Sequence, residues 1–341
     1  MSATGRAVTL AKRPQGVPAA DDFEIARLAV ADPPPGSLLV RVEECSLDPA
    51  MRRWMDEDSY GRPIALGAPI PTMVLGRVVA SRCEGIAVGD AVTGRGAIAE
   101  YAIVPCDGYT RVVDAEGLPS LSCHLSVLGT SGLTAYNGLL KVGRPEPGQT
   151  VLVSAAAGSV GSIVGQIARL VGCRAVGIAG GGTKCRWLTE RYGFDAAIDY
   201  RGLDADSITQ RVRDACPRGV DVYFDNVGGA CLEAALACIN PKARIVLCGM
   251  IAQYNVTEAP CAPRNLWQLV ARTASMHGFL NRFYLDDCTE ELRQLKRWIE
   301  EGRLTWREQI EVGIENFHGA FMRLFDGRHD GKLILRIAPA G

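Results

Sequence analysis

Residues 150–172 read TVLVSAAAGSVGSIVGQIARLVG, and three consecutive parts of this run have different local patterns. Residues 150–154 are mostly apolar or β-branched without polar alternation, which is typical of a strand covered on both faces in a parallel sheet. Residues 160–171 carry apolar side chains at helical spacing, and Gly172 follows as a favourable residue for ending a helix. The run therefore predicts a buried strand, a glycine turn and an apolar helix.

The turn is an A-x-G-x-x-G variant of the dinucleotide-binding fingerprint. Its residues are Ala156, Ala157, Gly158, Ser159, Val160 and Gly161. Gly158 lets the main chain approach a pyrophosphate, Gly161 lets the helix pack close to the strand, and free N–H groups at the helix start attract the anion. Ala156 replaces the first glycine of the usual pattern, so a tight turn without a nucleotide is the alternative interpretation.

The residues after this unit repeat the pattern of strand and amphipathic segment. Apolar strands are predicted at residues 174–179, 196–199, 220–225, 243–248 and 274–279, and a last long helix at residues 286–303. Strands that alternate with helices form a parallel sheet through crossover connections. We therefore predict an α/β fold with a doubly wound parallel Rossmann sheet.

The N-terminal part has a different pattern of short apolar runs separated by Gly, Pro and Asp. Strands are predicted at residues 38–42, 74–81, 91–92 and 99–104, the first of them after the break at 33–35. Residues 309–313 and 332–337 are predicted strands that return to this part. We predict a mainly β domain from residues 1–123 with 304–341, and a nucleotide-binding domain from residues 124–303.

Composition narrows the class of protein. The chain has 341 residues, 48% hydrophobic content and a net charge of -1, as expected for a soluble globular protein of two domains. No basic run indicates a nucleic acid partner, and no apolar run indicates a membrane span or a signal peptide, so we expect a cytoplasmic protein. The sequence contains 12 cysteines without a C-x-x-C pair, which favours free, mostly buried thiols over a metal knuckle or disulfides.

The end of the second predicted strand indicates which nucleotide is used. NAD-preferring folds place Asp or Glu there, where the carboxylate accepts the ribose hydroxyls and repels a 2′-phosphate. Residues 179–184 read AGGGTK, with no carboxylate, the exposed main chain of Gly180 and the ammonium group of Lys184. We therefore predict NADP(H) as the cofactor; a solvated Lys184 on a surface helix is the alternative.

Several motifs together resemble the medium-chain dehydrogenase/reductase superfamily, and within it the zinc-free alkenal/one reductase branch that includes prostaglandin, leukotriene and curcumin reductases. They are SLDPAMR (46–52), GLTAY (132–136), AAAGSVGSIVGQIA (155–168), FDNVGG (224–229), CGMIAQYN (248–255), GFL (278–280) and GRHDGK (327–332). The resemblance covers nearly the whole chain. It implies a GroES-like, mainly β catalytic domain beside the Rossmann domain, and a homodimer.

The same superfamily contains zinc alcohol dehydrogenases, so we compared their ligand positions with this chain. Cys45 and Asp48 fall where those enzymes keep a cysteine ligand, but Gly-His-Glu is replaced by Gly76-Arg77-Val78. A catalytic zinc needs about three protein ligands. We predict that the protein binds no metal.

The resemblance implies NADPH-dependent hydride transfer to the activated double bond of α,β-unsaturated ketones or aldehydes. Tyr254 matches the tyrosine beside the nicotinamide ribose, where a neutral phenol is suited to donate a hydrogen bond to the enolate oxygen. The implied cofactor contacts also include Tyr200, Asn226, Gly249, Met250, Phe279, Leu280 and His329. Thr134 lies near the nicotinamide by analogy. Ala50 and His329 replace a common tyrosine and asparagine of the family, so the pocket wall and one cofactor contact are expected to differ.

Two other functions stay open at this stage. A quinone reductase shares the fold and the cofactor, although CGMIAQYN argues against it. A protein that binds NADPH without useful turnover is the other alternative, and the departures at Ala50 and His329 leave it open. In the leading interpretation the partner is a small enone or enal, and the natural substrate is beyond the sequence.

Overall fold

The computed structural model describes residues 4–258 and 262–337. Its main-chain contacts divide the chain into two compact units. Unit 1 contains Met1–Gly129 and Glu308–Gly341, and unit 2 contains Thr130–Arg307. Within the described ranges, no helix is long and apolar enough to cross a membrane.

The strands, in chain order, are β1 (Thr4–Leu10), β2 (Phe23–Ala29), β3 (Ser37–Leu47), β4 (Pro71–Ser81), β5 (Ala91–Ala97), β6 (Tyr101–Pro105), β7 (Arg111–Val112), β8 (Thr150–Val153), β9 (Arg174–Ala179), β10 (Ala196–Asp199), β11 (Val220–Asp225), β12 (Ile239–Leu247), β13 (Ser275–Gly278), β14 (Glu308–Val312) and β15 (Lys332–Arg336).

The α-helices are α1 (Met51–Trp54), α2 (Thr130–Tyr136), α3 (Ser159–Leu170), α4 (Gly182–Arg186), α5 (Ala205–Ala215), α6 (Gly229–Leu236), α7 (Trp267–Ala271), α8 (Thr289–Glu300) and α9 (Phe317–Asp326). A π-helical segment, Asn137–Gly143, continues α2, and another, Trp187–Arg191, continues α4. A short 3-10 turn, Ile251–Gln253, follows β12.

Unit 2 is built on a parallel sheet whose described strands follow the order β10-β9-β8-β11-β12-β13. The order changes direction between β8 and β11, which is the switch point where the carboxyl ends of the strands leave a crevice for a ligand. The central strand β8 is fully buried, as its apolar sequence predicts. The predicted doubly wound Rossmann sheet is confirmed.

Unit 1 contains an antiparallel sheet in which β3 is central and pairs with β4, β6 and β15. In the described part, β5 and β7 extend the sheet beyond β4, and β14 pairs with β15 in parallel at the other end. The core of this unit joins residues far apart in sequence, such as Val40, Val74 and Phe321. The predicted mainly β domain, with C-terminal strands returning to it, is confirmed.

The first strands of unit 1 were not predicted. β1 and β2 form an antiparallel hairpin ahead of the proline break at residues 33–35. The sequence placed the first good strand after that break because β2, FEIARLA, alternates charged and apolar residues over a half-exposed surface. The pairing with β1, from Thr4↔Ala29 to Leu10↔Phe23, supplies the main-chain hydrogen bonds that local sequence does not show.

The division between units lies a few residues later than the predicted boundaries at residues 123 and 303. Ser122 and Ser126 both donate hydrogen bonds to the carboxylate of Glu308, which ties the segment after residue 123 to unit 1. Gln166 exchanges two hydrogen bonds with the main chain of Thr305, at 2.8 and 2.9 Å, which ties residues beyond 303 to unit 2. Hydrogen bonds between residues far apart in sequence therefore set both boundaries between the units.

The prediction of free thiols is wrong for two of the cysteines. Cys83 and Cys106 form a disulfide, with their Cα atoms 6.3 Å apart. Gly36 brings the main chains on either side of the disulfide close together. Its N–H donates to Arg82 O at 3.0 Å, and its carbonyl accepts from Cys106 N at 2.9 Å. The cysteines are 23 residues apart in sequence, so only the pairing of both flanking segments with Gly36 brings them together.

Candidate active site

The predicted pyrophosphate turn lies between β8 and α3, at the carboxyl edge of the parallel sheet. Ala156, Gly158, Ser159, Val160 and Gly161 all lie on this one turn or in the first turn of α3. A Cβ added at Gly161 would lie 2.4 Å from Ala155 O, so only glycine lets the helix pack this close. The first N–H groups of the 12-residue helix point toward the edge, where an anion would meet them.

The loops after β11 and β12 lie side by side at the same edge. Asn226 follows β11, and its main-chain oxygen accepts a hydrogen bond from Ile251 N at 3.2 Å. Gly249 and Met250 follow β12, and both Cys248 N and Gly249 N donate to Asp225 O, at 2.9 and 3.0 Å. The motifs FDNVGG and CGMIAQYN therefore form one paired structure, although they lie far apart in sequence.

Tyr254 ends the 3-10 turn Ile251–Gln253, and its phenol folds back over the loop. Its Oη accepts a hydrogen bond from Met250 N at 3.2 Å. A phenol can act as a hydrogen-bond donor as well as an acceptor. The structure thus brings Tyr254 together with Gly249, Met250 and Asn226.

A basic side chain that the sequence did not predict, that of Arg201, lies over the end of β9. A Cβ added at Gly180 would lie 3.2 Å from both Tyr200 Oη and Arg201 Nε, so both side chains lie directly over this glycine. Burial raises the pKa of the Tyr200 phenol, which therefore stays a neutral donor. Lys184 lies one turn away in α4. Arg201 gives no local signal, because it follows the next strand and only the fold brings it to Gly180.

The same place also holds a carboxylate that the sequence did not predict there. Asp199 Oδ1 accepts hydrogen bonds from Gly181 N at 2.8 Å and Arg201 N at 3.1 Å. The residue ends β10, so it reaches this edge by pairing of β10 with β9. Both donors are main-chain N–H groups, and hydrogen bonds to an ionised acceptor of this kind are among the stronger ones.

The remaining predicted residues are more dispersed. Phe279 is buried behind β13 and donates from its main-chain N to Leu247 O at 2.9 Å, whereas the Leu280 side chain is exposed. Thr134 lies in α2, within unit 2. His329 belongs to unit 1, where its Nδ1 donates to Gly331 O at 3.1 Å. Of these residues, Phe279 and Leu280 follow β13 at the carboxyl end of the sheet, Thr134 lies in α2, and His329 lies in the other unit.

Cys45 and Asp48 fall where zinc alcohol dehydrogenases keep a cysteine ligand, and the surroundings of both residues disfavour metal binding. Burial raises the pKa of the Cys45 thiol, so it resists becoming the thiolate that a metal requires. Asp48 pairs with the buried ammonium group of Lys332 and accepts a hydrogen bond from Ser46. Across the described residues, no group of three or more His, Cys, Asp or Glu side chains is placed to hold a metal ion.

Comparison with known proteins gives the family. Residues 6–112 match a family model described as the N-terminal domain of oxidoreductases, and residues 159–301 match one described as zinc-binding dehydrogenase. The chain is 40% identical over 335 residues to NADPH-dependent curcumin reductase of Escherichia coli, covering 96% of each chain. It is 35% identical over 329 residues to an NADP-dependent 2-alkenal reductase of Nicotiana tabacum, covering 95% of this chain and 94% of that one.

A solved structure agrees with these relatives. The crystal structure of CurA from Vibrio vulnificus in complex with NADPH superposes with a TM-score of 0.90 at 36% identity, over 98% of this chain and 100% of that one. The chain belongs to the zinc-free alkenal/one reductase branch of the medium-chain dehydrogenase/reductases. The members of this branch are NADP(H)-dependent oxidoreductases, and the chain is one of them.

The residues of this reductase fit an NADP(H) cofactor. A Cβ at Gly249 would lie 3.2 Å from Tyr254 Oη and 3.3 Å from Asn226 O, so the bare main chain of Gly249 lies close against both loops. Gly158 and the N-terminus of α3 provide the glycine turn and main-chain N–H groups that suit a pyrophosphate. Arg201, Lys184 and the neutral Tyr200 phenol supply donors of the kind that a 2′-phosphate requires.

Proposed function

We propose that this reductase transfers a hydride from NADPH to the activated carbon-carbon double bond of α,β-unsaturated ketones and aldehydes. The observation that carries the proposal is the Tyr254 phenol, which accepts a hydrogen bond from the Met250 N–H group and lies beside the main chain of Gly249. The relatives support the same reaction class, since curcumin reductase and 2-alkenal reductase are named for such substrates.

The phenol suits the electronic demand of this reaction. When bound, NADPH supplies a hydride to the β-carbon of the substrate, and negative charge develops on the carbonyl oxygen. Tyr254 donates a hydrogen bond to that oxygen, and it does so from a neutral group that costs little to desolvate. Catalysis by one such donor is commonly worth about 10²–10³ in rate.

The cofactor contacts are also part of the proposal. The pyrophosphate binds at Gly158, Ser159, Val160 and Gly161 with Ala156 behind the turn, and the ribose binds beside Asn226, Gly249 and Met250. Gly180, Lys184, Tyr200 and Arg201 hold the 2′-phosphate. Phe279 and Leu280 line the nicotinamide face, and the cofactor contact of His329 stays a prediction from the sequence.

A rate comparison tests the reaction class. We expect the purified protein to oxidise NADPH faster with a simple enone such as 3-nonen-2-one than with a quinone, and faster with NADPH than with NADH. Absorbance at 340 nm follows all of these rates. Turnover of the quinone with an inert enone contradicts the proposal, as does tight NADPH binding with no turnover of either compound.

We also propose a homodimer, formed through unit 2. β13 ends the described sheet, and an unpaired edge strand offers main-chain hydrogen bonds to a second copy. Large apolar side chains nearby are exposed to solvent, with Trp267 at 71%, Val270 at 63% and Phe283 at 69%. Sedimentation velocity tests this directly, and a monomer at micromolar concentration contradicts it.

A further inference from the structure

Asp225, at the end of β11, is a buried carboxylate that the cofactor contacts do not use. It is completely shielded from solvent, as are its neighbours Ser154 and Tyr223. Its Oδ1 accepts hydrogen bonds from Ser154 Oγ and Tyr223 Oη, both at 2.8 Å. Val227 N donates to the same oxygen at 2.9 Å, and Gly228 N donates to both oxygens, at 3.0 and 3.1 Å.

These bonds fix the first turn of the FDNVGG loop. Donors from the strand and from the loop converge on one carboxylate, so residues 226–228 cannot shift without breaking a charge-assisted hydrogen bond. The main-chain oxygen of Asp225 meanwhile accepts from Cys248 N and Gly249 N, which fixes the loop after β12. One buried residue therefore anchors the loop after β11 and the loop after β12, which carry the predicted cofactor contacts.

Ser154 forms hydrogen bonds with both the Asp225 carboxylate and Asn226. Because the Ser154 hydroxyl donates its proton to Asp225, its lone pairs are turned to accept from Asn226 N at 2.8 Å. Ser154 O accepts from Asn226 Nδ2, also at 2.8 Å. A carbonyl can only accept, so the carboxamide of Asn226 has its Nδ2 engaged and presents Oδ1 as its acceptor.

We propose that Asp225 and Ser154 are positioning residues for NADPH binding, which act by presetting the Asn226 carboxamide and the Gly249–Met250 main chain. They touch neither the cofactor nor the substrate. The desolvation of a buried carboxylate is costly unless hydrogen bonds offset it, and the hydrogen bonds that offset it here also hold the loop after β11. The inference rests on the proposed role of Asn226, but it does not depend on which substrate is reduced.

The test measures NADPH dissociation constants by fluorescence titration for Ser154→Ala, Tyr223→Phe and a matched control. We expect the Ser154→Ala constant to rise about tenfold and the Tyr223→Phe constant severalfold. The control is Thr209→Val, which also removes a buried hydroxyl from unit 2. Thr209 Oγ1 donates a hydrogen bond to Ala205 O of its own helix. Its constant should stay within twofold of the wild type.

A double-mutant cycle separates positioning from general stability. If Ser154 acts through Asn226, the variant Ser154→Ala/Asn226→Ala binds NADPH no more weakly than Asn226→Ala alone. Melting temperatures are recorded for every variant, because Ser154→Ala and Thr209→Val should both lose stability. An unchanged dissociation constant in Ser154→Ala, or effects of the two substitutions that simply add, overturns the proposal. Neither outcome depends on enone turnover, so failure here is distinguishable from failure of the proposed reaction.

Discussion

Gly161 in the first turn of α3 lies so close to Ala155 that an added Cβ would be 2.4 Å from the main-chain oxygen of Ala155. Ala155 itself has a positive φ of 45°, which is unusual for a residue with a side chain. The turn is therefore closed by backbone against backbone, without a flexible side chain that could yield. This contact explains why the fold requires glycine there.

Gly161→Ala should therefore destabilise the protein by about 1–3 kcal/mol, as overpacking against rigid neighbours does. The matched control is Gly319→Ala in α9, where an added Cβ meets no atom within 4 Å. That change should be neutral or stabilise by up to about 1 kcal/mol, since alanine favours a helix over glycine. Urea unfolding compares them, and equal effects of the two changes would argue against the close contact at Gly161.

Arg201→Ala should weaken NADPH binding about tenfold, equivalent to about 1.4 kcal/mol, and leave NADH binding unchanged. The guanidinium lies over Gly180 and Gly181, where we propose that the 2′-phosphate binds, and NADH lacks this phosphate. Fluorescence titration with each nucleotide measures the effect. Arg169→Ala is the control, because Arg169 pairs with Asp195 at 2.9 Å on the surface of the same unit. Equal losses for both nucleotides would remove Arg201 from the phosphate site.

Local patterns were sufficient for much of unit 2. The strands predicted at residues 174–179, 196–199 and 220–225 have the same limits in the structure, because continuous apolar runs between glycine and charged residues mark buried strands. The predicted last helix at residues 286–303 is shorter, Thr289–Glu300. Asp287 Oδ1 accepts from Thr289 N at its start, and Gly302 has a positive φ just after its end.

Contacts between distant residues were not visible in the sequence. The position of Arg201 at Gly180, the anchoring of two loops by Asp225, and the Cys83–Cys106 bond all depend on strand pairing. Arg201, Cys83 and Cys106 lie in no recognised motif, and the FDNVGG motif around Asp225 does not show that this residue contacts both loops. The fold class was predictable from periodicity, whereas these side-chain partners required the tertiary structure.

The disulfide predicts a thiol count. The Cys83–Cys106 bond holds two of the 12 cysteines, so the protein unfolded with reductant should show two more reactive thiols by colorimetric titration than the protein unfolded without it. Reduction should also lower the unfolding free energy by about 3 kcal/mol, because the bond closes a loop of 23 residues. Cys83→Ser should lose the same amount and become insensitive to reductant. A count of 12 without reductant would contradict the bond.

Asp225 predicts a specific pH dependence of stability. Desolvation raises the pKa of this carboxyl above 3.8, although hydrogen bonds from Gly228 and Val227 oppose the rise. The native state then binds a proton before the unfolded state does, so this group favours folding more as the pH falls from its native pKa toward 3.8. Burial raises the pKa values of the adjacent Cys231 and Cys248 thiols to about 12, so they stay neutral throughout.

Asp225→Asn provides the comparison, because it cannot titrate and the other carboxyl groups cancel between the two proteins. We expect the stability of the wild type relative to Asp225→Asn to increase as the pH is lowered from 7 to 4. Urea unfolding at several pH values measures this difference. A difference that decreases on acidification would mean that the native pKa of Asp225 is below that of the unfolded chain.

The central claim is that Tyr254 donates a hydrogen bond to the developing enolate oxygen. The most direct measurement is the single-turnover rate of NADPH oxidation with 3-nonen-2-one, for the wild type and Tyr254→Phe at saturating NADPH. We expect Tyr254→Phe to lose at least tenfold in this rate, about 1.4 kcal/mol of barrier, with NADPH affinity changed by less than threefold. An unchanged rate in Tyr254→Phe, with the enone still reduced, would contradict the donor role.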